Sequence, residues 1–196
     1  MKKIFGCGLL AALMVTSGCA TTPELIKASD ISSRSGVFQE LTDGGSIPRG
    51  YADLRIVFSL KTHRPGLYSE KDSHGTAAYL LLVNVDGQAV RVGGLTAEES
   101  SEPRSLRDPE SGDGIRYRFD KRVRLKAGTH KIAVALPEDD VTVARELTLA
   151  AGSSNTLVLE PVYGATAMRM RPTAYTETSF TEGLKGLLPI LNGRPL

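Results

Sequence analysis

The chain of 196 residues carries 24 basic and 22 acidic side chains, a formal net charge of +2. Setting aside Lys2 and Lys3 leaves 22 of each sign, so bulk charge gives no argument for nucleic acid binding or for general adhesion to anionic membranes. Glycine (20) and proline (10) are frequent and tryptophan is absent, which with recurrent short β-branched runs points to an all-β domain with many turns.

The chain opens on Met1-Lys2-Lys3, an apolar run over 4–17, and Gly18-Cys19. The apolar run falls short of the roughly 20 residues needed to span a bilayer. A positive start, an apolar centre and small residues before a cysteine form the layout of a secretory signal. Thr16-Ser17-Gly18-Cys19 resembles the lipobox of bacterial lipoproteins, with Thr16 where that family usually has Leu. The resemblance implies cleavage before Cys19 and a diacylglycerol on its thiol. Two or more acyl chains anchor stably where one binds reversibly. An ordinary secretory signal with another cut site is the alternative. Cys7 leaves with the signal and Cys19 is acylated, so no thiol remains for a disulfide. Ala20 after the cysteine, rather than Asp, resembles lipoproteins held in the outer membrane of Gram-negative-type bacteria, facing the periplasm. Residues 1–18 then form the signal and 19–50 an anchor with a flexible tether of about 30 Å r.m.s. reach. Within it, residues 23–27 start a short helix and 43–50 read as loop.

Strand patterning begins at Tyr51. Leu54, Ile56, Phe58 and Leu60 alternate with Arg55, Ser59 and Lys61, the period of a half-buried strand. Residues 63–66 break it. A continuous apolar run over 77–85 meets Asp86-Gly87 and then 89–92, the signal for a tight hairpin whose central residues both take positive φ. Residues 93–114 are charged and poor in core formers and read as a long mobile loop. Ile115, Tyr117, Phe119, Val123 and Leu125 share one phase, opposite Arg116, Arg118, Asp120, Arg122 and Arg124. Lys121 interrupts the apolar phase and suggests a bulge near Asp120. Ala127-Gly128 turns the chain into Ile132–Leu136, residues 137–140 turn it into Val141–Leu149, and 151–153 into 156–162. Connections this short imply antiparallel neighbours. In the segment 164–196, residues 166–171 alternate, Leu184–Leu191 reads as an extended strand, and Asn192-Gly193 as a turn. Its leucines require that this tail pack on the domain. The expectation is an all-β, Ig-like antiparallel sandwich of about seven or eight strands over residues 51–163.

The hairpin Leu125-Lys126-Ala127-Gly128-Thr129-His130-Lys131-Ile132, with the later turn Leu149-Ala150-Ala151-Gly152-Ser153, resembles PEGA-type modules, small sandwiches on bacterial envelope proteins. The likeness spans about 122–159, and it departs at Pro137-Glu138-Asp139, where that family often has Gly-Tyr. It implies a non-catalytic, prealbumin-like sandwich used in binding or assembly.

The sharpest surface feature is the row Arg116, Arg118, Arg122 and Arg124. Same-face neighbours on a strand lie about 6.5–7 Å apart, a spacing at which guanidinium groups grip phosphates or carboxylates along a polymer. The competing reading is a solvated face neutralised by Asp120 or by the acidic residues of 98–113. His63 and His74 share a turn-rich segment with Glu70 and Asp72. Their spacing matches no zinc signature, and the expectation is solvated loop histidines with no metal. His130 lies in an apolar phase and reads as a rim or hydrogen-bonded core residue. There is no Gly-x-Ser-x-Gly elbow, no phosphate-binding glycine loop and no His-Glu-x-x-His, so no catalytic residue and no cofactor is expected. The leading expectation is a non-enzymatic envelope lipoprotein that assembles with another envelope protein. The alternatives are a module binding an anionic polymer such as lipopolysaccharide or peptidoglycan through the arginine row, and, more remotely, a hydrolase.

Overall fold

The computed structural model describes residues 22–42, 45–66, 70–103, 108–164 and 183–196. The signal segment, Cys19 and the alternation at 166–171 lie outside the described residues. The fold is an all-β sandwich of two sheets. Along the chain run α1 (Thr22–Asp30), β1 (Phe38–Leu41), β2 (Tyr51–Thr62), β3 (Leu80–Val85), β4 (Gln88–Gly93), β5 (Leu95–Ser101), β6 (Gly112–Lys126), β7 (Gly128–Leu136), β8 (Val141–Leu149), β9 (Ser154–Tyr163), β10 (Leu184–Leu191) and β11 (Arg194–Pro195). The larger sheet has the order β1-β6-β2-β9-β10-β11, with β5 also on β6; the smaller has β4-β3-β7-β8.

Alternation places the core. Leu54, Ile56, Phe58 and Leu60 of β2 point inward with Tyr117, Phe119, Val123 and Leu125 of β6, against Val83, Val134 and Leu136 of the smaller sheet. Phe58 and Phe119 are register partners and their rings stack at 5.7 Å. The tight turns follow from their residues: Asp86 (φ 47°) and Gly87 (φ 93°) join β3 to β4, and Asn192 (φ 50°) and Gly193 (φ 80°) join β10 to β11, each pair with the two positive φ angles that a type I′ turn requires.

Residues 51–163 hold eight strands, as expected, and β1, β10 and β11 outside that range bring the described residues to eleven. Four expectations are corrected. The pairing is not wholly antiparallel: β2 and β9 run parallel, Asp53 to Phe58 against Ser154 to Leu159. The chain visits the smaller sheet between them, so no short connection has to join these neighbours. There is no bulge at Lys121, since Ile56–Lys121 and Val57–Asp120 pair in unbroken register; the Lys121 ammonium reaches the sheet edge and pairs with Glu40. The segment read as a mobile loop contains β5, which pairs with β6 from Leu95–Arg118 to Ser101–Gly112. Its charges suit an edge strand exposed to water.

The fourth correction concerns the tether, where α1 and β1 are folded onto the domain. The four residues of β1 pair with Leu125 to Arg122. Helix α1 packs on β3, β7 and β8, where the outward residues Leu82, Asn84 and Ala135 are buried. This explains the unbroken apolar run of β3, which is covered by the core on one face and by α1 on the other. Asn84 Nδ2 donates to Ala28 O at 2.9 Å, and its Oδ1 accepts from Gly87 N at 2.8 Å. Asn84→Ala should therefore cost about 1–3 kcal/mol, the range for a buried partner left unsatisfied. Denaturant titration would measure it, and a change below about 0.5 kcal/mol would mean that α1 is not held through this contact.

Candidate functional site

The strongest chemical constellation lies at the end of β2. His63 follows Thr62 directly, and Pro65-Gly66 turns the chain away. The chain returns through Asp72-Ser73-His74, closed by a turn in which Thr76 N and Oγ1 both donate to Ser73 O, at 3.0 and 2.7 Å. Asp139 comes from the short helical turn Pro137–Asp139 after β7. His63 Nε2 lies 2.7 Å from Asp72 Oδ2 and His74 Nδ1 lies 2.5 Å from Asp72 Oδ1. Asp72 Oδ1 also accepts from His74 N at 3.0 Å. On its far side His74 Nε2 lies 3.3 Å from Asp139 Oδ1, and the Tyr79 hydroxyl donates to Asp139 Oδ2 at 2.5 Å. The rings continue inward: His63 to His74 at 5.0 Å, His74 to Tyr79 at 4.9 Å, and Tyr79 to Tyr117 at 4.9 Å. Tyr117, fully buried, donates its hydroxyl to Thr76 O at 2.6 Å and so ties the turn to the core.

Burial sets the electrostatics. It pushes the Asp72 carboxyl up, but hydrogen bonds from the His74 backbone and ring and from the His63 ring outweigh it and hold the group down at about 2. Burial lowers His74, yet Asp139 and Asp72 beside it raise it overall. His63 is lowered, with burial outweighing its bond to Asp72. The Tyr79 hydroxyl is raised by burial and by Asp139. Next to the cluster in the chain, Arg64, Pro65 and Gly75 line an open cleft of about 540 Å³ with Glu98 and Ile115. There Arg64 lies 3.7 Å from Glu98 and 3.6 Å from Asp113.

This arrangement corrects the expectation of solvated loop histidines: His63 is buried and His74 half-buried. Glu70 is exposed and does not join them. The signal present in the sequence was the Asp-x-His pair at 72 and 74; Asp139 and Tyr79 had none. His130 is buried and bonded at both nitrogens, to Asp86 Oδ2 and Lys126 O, each at 2.7 Å.

The arginine row lies on the outer face of the larger sheet, and its members differ. Arg124 forms a two-point pair with Asp53 at 2.6 and 2.9 Å. Arg116 is clasped by Glu99 at 2.8 and 3.0 Å and by Glu110 at 2.6 Å. Beside it the fully buried Lys61 donates to Ser101 Oγ at 2.8 Å and Gly112 O at 2.7 Å. The Tyr163 hydroxyl donates to the second Glu110 oxygen at 2.7 Å. These bonds fold the β5–β6 connection over one end of the sheet. Arg55 pairs with Asp120. Arg118 and Arg122 are exposed and have no hydrogen-bonded carboxylate among the described residues.

Fold and site together define an all-β sandwich with a buried histidine–carboxylate cluster at one end and a mixed apolar and basic outer sheet face. Compared with protein-family models, curated proteins and solved structures, the chain matches none.

Proposed function

We propose that this protein is a non-enzymatic envelope lipoprotein, anchored through Cys19 in the outer membrane and facing the periplasm, that docks on another envelope protein through the outer face of its larger sheet. The observation that carries the reading is a cluster of exposed apolar side chains on adjacent strands. Val158 (36% exposed) and Val162 (45%) stand on β9 and Leu188 (37%) on β10, with Val158 opposite Ile190 and Leu188 opposite Glu160 in the ladder. Arg118 and Arg122 stand on the same outer face, on β6 beyond the intervening β2, and are not committed to a carboxylate of their own. An apolar patch with uncommitted arginines two strands away suits a partner surface that is apolar in one part and acidic in another. Among the described residues no helix is long and apolar enough to cross a membrane; the anchor in this reading is the lipobox-like start.

A photo-crosslinking residue placed in cells at Val158 or Leu188 should give one discrete adduct, and one at the exposed Thr148 of the smaller sheet should give none. Arg118→Glu with Arg122→Glu should reduce that adduct several-fold, and Cys19→Ser should abolish both acylation and adduct. Recovery of uncrosslinked monomer from every position would sink the docking reading. The polymer reading survives with a smaller footprint, because Arg118 and Arg122 sit four residues apart on one strand, about 13–14 Å. Loss of salt-sensitive retention on lipopolysaccharide vesicles after Gln replacement of these two, without any crosslinked protein, would favour it instead.

A further inference from the structure

We propose that His63, Asp72 and His74 form a binding site for a divalent transition metal of the zinc class. The nitrogen and oxygen atoms that these residues offer all lie within 4.8 Å of one another. Two histidines and a carboxylate with a fourth position left for water is an established zinc donor set, with ligand bonds of about 2.0–2.2 Å. Ligand atoms around such an ion sit about 3.4 Å apart. The Asp72 oxygens stand at 2.7 and 2.5 Å from the two ring nitrogens, so they need to open by less than about 1 Å to admit it.

Two features set this cluster apart from an ordinary buried hydrogen-bond network. The first is the surrounding shell. A metal-bound histidine donates its other ring N–H to a carboxylate, which fixes tautomer and ring orientation. Here Asp139 occupies that position at His74 Nε2 and is itself held by the Tyr79 hydroxyl, so a metal that displaced the proton between His74 Nδ1 and Asp72 would meet that nitrogen in place. The second is charge. Asp72 and Asp139 bring two negative charges into a largely buried site. A divalent cation between two neutral imidazoles cancels both, and buried charge is tolerated when it is paired or coordinates a metal. His130 offers a contrast within the same chain. It is also buried beside a carboxylate, but among the described residues no second histidine converges on it. The site is remote in function from the outer sheet face, so it stands or falls independently of the docking reading.

The test uses the full chain, extracted in detergent, stripped with a chelator and titrated with Co²⁺. Visible ligand-field bands should grow to a plateau at one equivalent and disappear on addition of Zn²⁺, and Zn²⁺ should raise the melting temperature by several degrees. Asp72→Asn should weaken Zn²⁺ at least tenfold with circular dichroism unchanged, whereas His130→Gln should bind as the wild type does. Should Asp72→Asn fail to fold, Asp139→Asn replaces it, because among the three proposed ligands it touches only His74, at the far nitrogen, and an amide oxygen can still accept from Tyr79; the expected loss is about 10–100-fold. A wild-type chain that gives neither bands nor a thermal shift overturns the proposal. So does unchanged affinity in the folded Asp72→Asn or Asp139→Asn variant.

Discussion

Replacing Arg116 by methionine should lower stability at neutral pH by about 3 kcal/mol, the low end of the range for removing one partner of a buried ion pair. The low end applies because Glu99 keeps Lys61 at 3.8 Å after losing Arg116 and is only partly enclosed, with 31% of its side chain exposed. Arg116 itself is 15% exposed and joins Glu99 to Glu110, so its removal also leaves two carboxylates facing each other. The methionine stem keeps the aliphatic packing, which isolates the electrostatic loss. The pH dependence supplies an internal check. The hydrogen bonds from Arg116, reinforced by its charge, hold the Glu99 carboxyl below its ordinary value of 4.5 against the opposing effect of burial. A lowered carboxylate contributes stability that is present above its unfolded value and lost as pH falls through its folded one. The difference between wild type and Arg116→Met should therefore be widest at pH 7 and narrow below about pH 4.5. Denaturant titrations at pH 7 and pH 4 would measure it; a difference that does not change with pH would mean that Arg116 acts by packing alone.

Gly75→Ala should cost about 2–5 kcal/mol and disturb both site histidines. Gly75 has φ +77°, and an added Cβ would stand 2.6 Å from Pro65 Cδ, 2.7 Å from Pro65 N and 2.9 Å from His63 O. None of these atoms can swing aside, since they belong to a ring or to backbone. About 1–2 kcal/mol comes from a side chain in the left-handed region and about 1–3 from overpacking. Gly152→Ala separates the two terms: φ is +76° there and nothing lies within 4 Å of the added atom, so only the left-handed strain of about 1–2 kcal/mol should appear. The His63 and His74 ring resonances should move in the first variant and stay in the second. Equal costs for the two substitutions would show that the close approach of the Gly75 turn to Pro65 carries no weight.

What the sequence makes legible here is what short-range pattern encodes. β2 and β6 alternate over long stretches because one face meets the core and the other water, and the Asp-Gly and Asn-Gly turns declare themselves by backbone chemistry. The rest depends on partners distant in the chain. β5 has no apolar phase; its place is set by Arg116 and by the ladder to β6. The start of helix α1 was legible at 23–27, but its docking was hidden because its partner surface, Leu82 and Asn84, is the far face of a strand that reads as core. The parallel pairing of β2 with β9 leaves no mark on either strand. Of the arginine row the residues were plain, but which cations remain uncommitted depends on Asp53, Glu99 and Glu110, each on another element. The histidine cluster shows the same limit: Asp72 and His74 are adjacent by eye, whereas His63 joins them across a turn and Asp139 arrives 65 residues after His74.

The parallel β2–β9 ladder has a consequence for incomplete chains. It joins positions about a hundred residues apart, such as Asp53 and Ser154, and loop closure over that distance rewards the chain only late. A chain ending before Ser154 retains β2 and β6 and leaves the other side of the twelve-residue β2 bare. A long strand with open N–H and C=O groups is a template for a second copy. Nascent or truncated forms of this protein should therefore associate with one another more readily than the chain that includes β9, and strand β9 serves as the seal over that edge.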